Sequence, residues 1–119
     1  MRQLAQHGAD FLYIGSSSFL QANRTILGAA AVSARLPILS PYEETVTDGH
    51  ALISVAAHYR EIGRLAGQQA EAILFEYRNP VDLPVLRMTQ FAVTINLTVA
   101  RALGLFPAVG MLQIADIVE

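Results

Sequence analysis

The sequence predicts an α/β fold: an open, mainly parallel sheet flanked by helices. Short apolar runs at residues 11–14, 36–39 and 51–57 each give way to polar residues, as buried parallel strands do. Helical spacing separates and follows them, most clearly at Tyr59, Ile62, Ala66, Ala70, Ile73 and Tyr77. Such alternation implies right-handed βαβ units. The length, 119 residues, suits one domain, so a single lobe over 1–119 is expected.

In order, residues 1–8 read as the last two turns of a helix closed by Gly8, a helix that begins before Met1. They lack the basic-then-apolar build of a signal peptide. The strand 11–14 ends at Gly15 and the run Ser16-Ser17-Ser18. Ser18-Phe19-Leu20-Gln21 then fits a capping box, with the serine hydroxyl on the N3 amide and the glutamine reaching back. The helix it opens is expected to end near Arg35, two residues before Pro37, with Phe19, Ala22, Ile26, Ala29, Ala30 and Ser33 on its apolar face. After the strand 36–39, residues 40–49 are the most polar stretch, a loop with room for one helical turn, and Asp48-Gly49 is a turn signal.

The third strand, 51–57, leads into the long amphipathic helix from Tyr59 to Tyr77, stopped by Asn79-Pro80. Gly63 and Gly67 cost that helix about 1 kcal/mol each against alanine, which predicts close packing on the sheet. Tyr59 and Tyr77 are expected in the core. Residues 85–89 and 91–97 read as two further strands, the second alternating Phe91, Val93, Ile95 and Leu97. Asn96 or Thr98 caps a short helix, 99–103, that Gly104 closes, so Asn96-Leu97-Thr98 reads as a cap before a glycosylation acceptor. The tail, 105–119, is punctuated by Pro and Gly.

Composition narrows the function. Counting glycine and leaving out tyrosine, about 56% of the chain is apolar, above the roughly 45–50% of ordinary domains on the same count. The surplus predicts surface hidden by a missing lobe or by a second copy. All 8 cations are arginines scattered from Arg2 to Arg101, against 10 acids, which argues against nucleic acid as a partner. There is no cysteine, hence no disulfide, thiolate nucleophile or Cys-type zinc site. The longest uncharged stretch, residues 102–115, is interrupted by Gly104, Pro107 and Gly110 and falls short of the roughly 20 apolar residues a membrane helix needs.

Ligands of open α/β sheets bind beyond the carboxyl ends of the strands. Three segments are expected there: Ser16-Ser17-Ser18, the stretch from Ser40 to Asp48, and His58-Tyr59. The serine run lies at a helix start, where free amides favour a carboxylate or phosphate, or where it simply caps. Tyr42 and Glu43 offer an aromatic face and a carboxylate to a ligand ammonium group, or form a solvated turn. His58 donates to a ligand or caps the next helix. The candidate ligand-binding residues are therefore Ser16, Ser17, Ser18, Tyr42, Glu43 and His58. Neither Gly-x-x-x-x-Gly-Lys nor Gly-x-Gly-x-x-Gly nor Gly-x-Ser-x-Gly occurs, and His7, His50 and His58 lack metal-ligand spacing. No catalytic residue, metal or cofactor is assigned.

The order of segments resembles the C-terminal part of ABC-transporter solute-binding proteins. Ala9-Asp10-Phe11-Leu12-Tyr13-Ile14 before a polar triplet, Leu36-Pro37-Ile38-Leu39, Asp48-Gly49-His50-Ala51-Leu52 and Tyr59-Arg60-Glu61-Ile62-Gly63-Arg64-Leu65-Ala66-Gly67 carry it. Ile95-Asn96-Leu97, Ala100-Arg101-Ala102-Leu103-Gly104-Leu105, Pro107 and Ala115-Asp116 extend it to the end of the chain. The resemblance implies one Rossmann-like lobe of a type I periplasmic-binding-protein-like fold, a missing N-terminal lobe, a small polar solute held between the lobes, a membrane permease as receiver and a periplasmic or extracytoplasmic place of work. It implies no bond-breaking chemistry. Where such proteins usually carry an acidic or amide residue in the polar triplet, this sequence has Ser17 and Ser18, and His58 stands where they carry aspartate. An anionic or neutral polar solute is thus equally permitted. Two other readings stay open: the effector-sensing lobe of a transcription regulator of the same architecture, and a flavodoxin-like enzyme using Ser17 and His58. A homodimer through the exposed apolar surface is the alternative to a missing lobe.

Overall fold

A computed structural model describes residues 1–119. The chain gathers into two compact units, Met1–Ala56 with Ala92–Glu119, and Ala57–Phe91.

The first unit holds the whole sheet, β1 (Leu12–Tyr13), β2 (Ile38–Ser40), β3 (Ile53–Ala56), β4 (Ala92–Asn96) and β5 (Asp116–Val118), in that spatial order. All neighbours are parallel except β3 and β4. That exception departs from unbroken βαβ alternation and has a topological cause. Ala56 stands opposite Ala92, so the chain leaves the sheet and re-enters it at one rim, whereas a βαβ crossover must carry it back to the other.

The helices of this unit are α1 (Arg2–Gln6), α2 (Ser18–Ala22), α3 (Arg24–Ser33), α4 (Glu43–Thr47), α6 (Leu97–Leu103) and α7 (Val109–Leu112). Because β1, β2 and β3 are added in one direction, right-handed crossovers put α3 and α4 on the same face. Ile14 and Ile38 of that face bury against Ala31 of α3 and Val46 of α4, with Leu12, Leu20 and Leu27 packed around them. On the opposite face the register sets Tyr13, Leu39, Ile53, Ile95 and Ile117 in a row. Tyr13 and Ile117 at its ends are exposed, and Phe11, Leu39, Ile53 and Val55 line an apolar hollow. One side of the sheet is a core; on the other, Ile95 is buried while Tyr13 and Ile117 at the ends of the row stay exposed.

The single helix expected from Ser18 to Arg35 breaks at Asn23, whose Nδ2 donates to the Phe19 carbonyl at 2.8 Å. Its buried side is also not the expected one. Phe19 and Ile26 are 73% and 70% exposed, whereas Gly28 and Ala31 are buried. Gly28 decides this: a Cβ there would lie 2.7 Å from the His50 carbonyl oxygen, so only glycine lets the helix approach residue 50 so closely. The helix closes with Arg35 in the left-handed region, φ 54°, while Arg35 and Leu36 donate to the Val32 and Ala31 carbonyls. Only glycine adopts this position without cost, so Arg35→Gly is expected to stabilise the unit by about 1 kcal/mol, read as a shift of the urea midpoint. An unchanged or lower midpoint would contradict that account.

Asn96 is a buried junction. Its Oδ1 accepts from the Val99 amide at 2.9 Å, capping α6, and its Nδ2 donates to the Val46 carbonyl at 3.0 Å, tying β4 to α4. The cap read from the sequence is present, and α6 closes at Gly104, φ 72°.

The second unit is α5 (Tyr59–Leu74), a short turn at Pro80–Asp82 and an extended segment to Phe91. The α5 periodicity is as expected, but no residue of the helix is buried. Tyr59 and Tyr77 are 67% and 89% exposed, not core, and a Cβ on Gly63 or Gly67 meets nothing within 4 Å, so the expected close packing is absent too. An amphipathic stripe states that a helix has an apolar side; it does not supply the surface that covers it. The strand expected at 85–89 pairs with nothing. Arg64 grips both Glu61 oxygens in the first turns of α5, and this hydrogen bonding holds the Glu61 carboxyl below its ordinary value of 4.5. The support it gives α5 is therefore present at neutral pH and lost as the pH falls through the lowered value.

Candidate functional site

Because β1, β2 and β3 are parallel, the turns that follow them open at one rim of the sheet. The first is the serine run. Ser17, not Ser18, is the N-cap of α2, accepting from the Leu20 amide at 3.4 Å. The expected capping box does not form, because with Ser17 as the cap its third helical residue is Leu20, and Gln21 Oε1 accepts from the Thr45 hydroxyl at 2.8 Å. Ser16 and Ser18 are left exposed beside the cap.

The second turn is built by Ser40. Its buried hydroxyl accepts from the Tyr42 amide at 3.0 Å, folding Ser40-Pro41-Tyr42 back on itself and starting α4 at Glu43. Tyr42 is the N-cap and half-buried. Glu43 and Glu44 occupy the first turn, where the helix dipole favours carboxylates. The helical turn allowed for in this stretch is thus α4 itself.

The structure ties these two turns together through the Thr45–Gln21 bond and a further pair, in which Arg24 Nε and Nη2 both reach Asp48 Oδ2, at 3.0 and 2.8 Å. Asp48 fixes the end of α4 to the start of α3, and Gly49, φ 77°, makes the turn the sequence signalled. Thr25 Oγ1 lies 3.2 Å from His50 Nε2 alongside. Sequence reasoning missed the pairings of Gln21 with Thr45 and of Arg24 with Asp48, since no local pattern joins residues 24 positions apart. Ser40 left a local trace, as a serine directly before proline at a strand end.

His58 belongs to the other unit. It is the N-cap of α5, two residues beyond β3, and its carbonyl accepts from the Glu61 and Ile62 amides. No group of three His, Asp or Glu side chains could hold a metal ion, and no helix is long and apolar enough to cross a membrane.

The chain is an open, mostly parallel α/β sheet with polar turns at one rim. Solved structures agree on the fold. A conserved domain protein from Vibrio cholerae is similar over 99% of this chain and 39% of its own, with a TM-score of 0.84 at 24% identity. The ABC domain from Streptococcus pneumonia in complex with L-Trp matches over 98% and 40%, TM-score 0.80, 21% identity. The ligand-free, open structure of CD0873, a substrate binding protein with adhesive properties from Clostridium difficile, matches over 100% and 41%, TM-score 0.73, 19% identity. The chain thus spans about two-fifths of the length of these proteins. No curated protein sequence matches it. The family model for ABC transporter substrate binding proteins matches residues 1–118, and the chain belongs to that family.

Proposed function

We propose that this chain supplies one side of a two-lobed solute-binding protein that holds a small polar organic solute in an interlobe cleft and delivers it to a membrane permease outside the cytoplasm. Ser16, Ser17, Ser18, Tyr42, Glu43 and His58 form its half of the site, and no bond is broken. The observation that carries this reading is the pairing of the serine turn with the Tyr42 turn at one rim, locked by Thr45–Gln21. Free amides at the α2 start suit an anionic group, and Tyr42 with Glu43 suits an aromatic or cationic one. The apolar sheet face and the uncovered α5 are consistent with a second lobe. Contacts from two lobes to one solute stabilise the closed state, which a permease can then distinguish from the open one.

A thermal-shift screen on the protein carrying both lobes tests this, with L-Trp, the ligand of the pneumococcal structure, among the first compounds. A bound solute raises the melting point, and Tyr42→Ala is expected to weaken its binding about tenfold or more through lost aromatic contact. Ser17→Ala and His58→Ala test the other two turns. A full wild-type response from all three variants would refute this half-site. The 119-residue chain alone is expected to bind the same solute far more weakly.

A further inference from the structure

Ser17 and Tyr42, the N-caps of α2 and α4, are joined through one further residue of each helix. The Gln21 amide donates to the Ser17 carbonyl at 3.0 Å, and the Thr45 amide to the Tyr42 carbonyl at 3.3 Å. Gln21 and Thr45 thus lie one turn behind the two rim residues. There their side chains meet, the hydroxyl of Thr45, a residue only 1% exposed, donating to Gln21 Oε1 at 2.8 Å. Little else fixes α2. It has five residues and none is buried, it is separated from α3 at Asn23, Phe19 faces solvent, and Leu20 packs on the core. A second tie is of a different kind. Arg24 donates from Nη1 to the Gln21 carbonyl and from Nε and Nη2 to Asp48, but the two side chains are 33% and 43% exposed, so salt screens the pair. The neutral inner bond persists at any ionic strength.

We propose that Gln21 and Thr45 are positioning residues: without touching the solute, they hold the serine turn and the Tyr42 turn at one separation, and so select solutes by the distance between the two groups these turns receive. The inference rests on the binding reading above. Its basis is preorganisation. Two turns on a rigid spacer lose little freedom when a solute bridges them, whereas turns that move independently must be ordered at the expense of affinity. A hydroxyl donating to an amide oxygen makes such a spacer, because the bond is satisfied only over about 2.5–3.0 Å, while apolar packing at the same place would tolerate sliding. The residue type agrees with this. Valine has the shape of threonine and suits a buried position better, and it lacks only the donor.

Hydrogen exchange and solute titration of the two-lobe protein decide the matter, comparing Thr45→Val, which keeps the shape and loses the donor, with Thr45→Ser, which keeps the donor and loses a methyl. Without solute, the Leu20 and Gln21 amides are expected to exchange about tenfold faster in Thr45→Val and within about twofold of wild type in Thr45→Ser. Gln21→Met, which removes the acceptor, should match Thr45→Val, and the double variant should exceed neither, since both changes remove one bond. The titration uses whichever screened compound, L-Trp included, most raises the wild-type melting point. Thr45→Val is expected to raise its Kd about tenfold, with Thr45→Ser at wild-type affinity. Wild-type exchange in Thr45→Val overturns the proposal. Equal disturbance by Thr45→Ser and Thr45→Val also overturns it, in favour of packing. Equal affinity in wild type and Thr45→Val, with α2 loosened, sinks this inference alone. The expected exchange pattern in a protein that no screened compound shifts sinks the binding reading and leaves the coupling of the two turns standing.

Discussion

Gly28→Ala is expected to lower the stability of the sheet-bearing unit by about 2 kcal/mol, a fall in melting temperature of roughly 10 °C. In an ordinary helix the same change gains about 1 kcal/mol, since glycine is the poorer helix former. Here the new Cβ would sit 2.7 Å from the His50 carbonyl oxygen and 2.9 Å from its Cα, both backbone atoms that cannot rotate away. The helix must back off, opening the packing of Leu27 and Ala31 on Ile14 and Ile38. Gly67→Ala is the control. With nothing within 4 Å of its Cβ, it is expected to raise the stability of α5 by up to about 1 kcal/mol, read from helical circular dichroism during melting. If both alanines shift the melting point in the same direction, the close approach at Gly28 is not what holds α3 in place.

The second large effect concerns Asn96. Asn96→Ala is expected to cost about 3 kcal/mol, because it strips the cap from the Val99 amide and the donor from the Val46 carbonyl at a buried position. Asn96→Ser separates the two contributions. Its hydroxyl retains an acceptor for the Val99 amide but is too short to serve Val46, so its denaturation midpoint should fall between wild type and the alanine variant. A loss below about 1 kcal/mol for Asn96→Ala would mean that the junction between β4, α4 and α6 is held by apolar packing alone.

Much of this was legible beforehand because it is local. Strand runs ending in polar residues, Gly104 after α6 and Asn96 before Val99 depend on neighbours within a few positions, whereas α5 ends at Leu74, short of the expected Tyr77 and of the Asn79-Pro80 stop. The failures share the opposite character. Phe19 and Ile26 keep helical spacing as well as Leu20, Leu27 and Ala31 do, so periodicity alone could not say which stripe would dock; the gap left by Gly28 against residue 50 chose. Gln21 fits a capping box until Thr45, far along the chain, takes its oxygen. Tyr59, Tyr77, Gly63 and Gly67 describe an apolar helix face, whose covering surface the helix itself cannot encode. At the candidate site, Ser17 and Tyr42 were found as residue types at strand ends, while the bonds that join their turns were not.

By itself the sequence determined that the chain alternates strand and helix, where several elements are capped or closed, and which family it belongs to, since these follow from backbone propensity and the order of short patterns. Only the tertiary structure decided the reversal of β4, the division into two units, and the bond that joins Gln21 to Thr45. Those depend on where distant segments meet, and the free energy of such meetings comes from surfaces brought together across the chain, which no window of neighbouring residues contains.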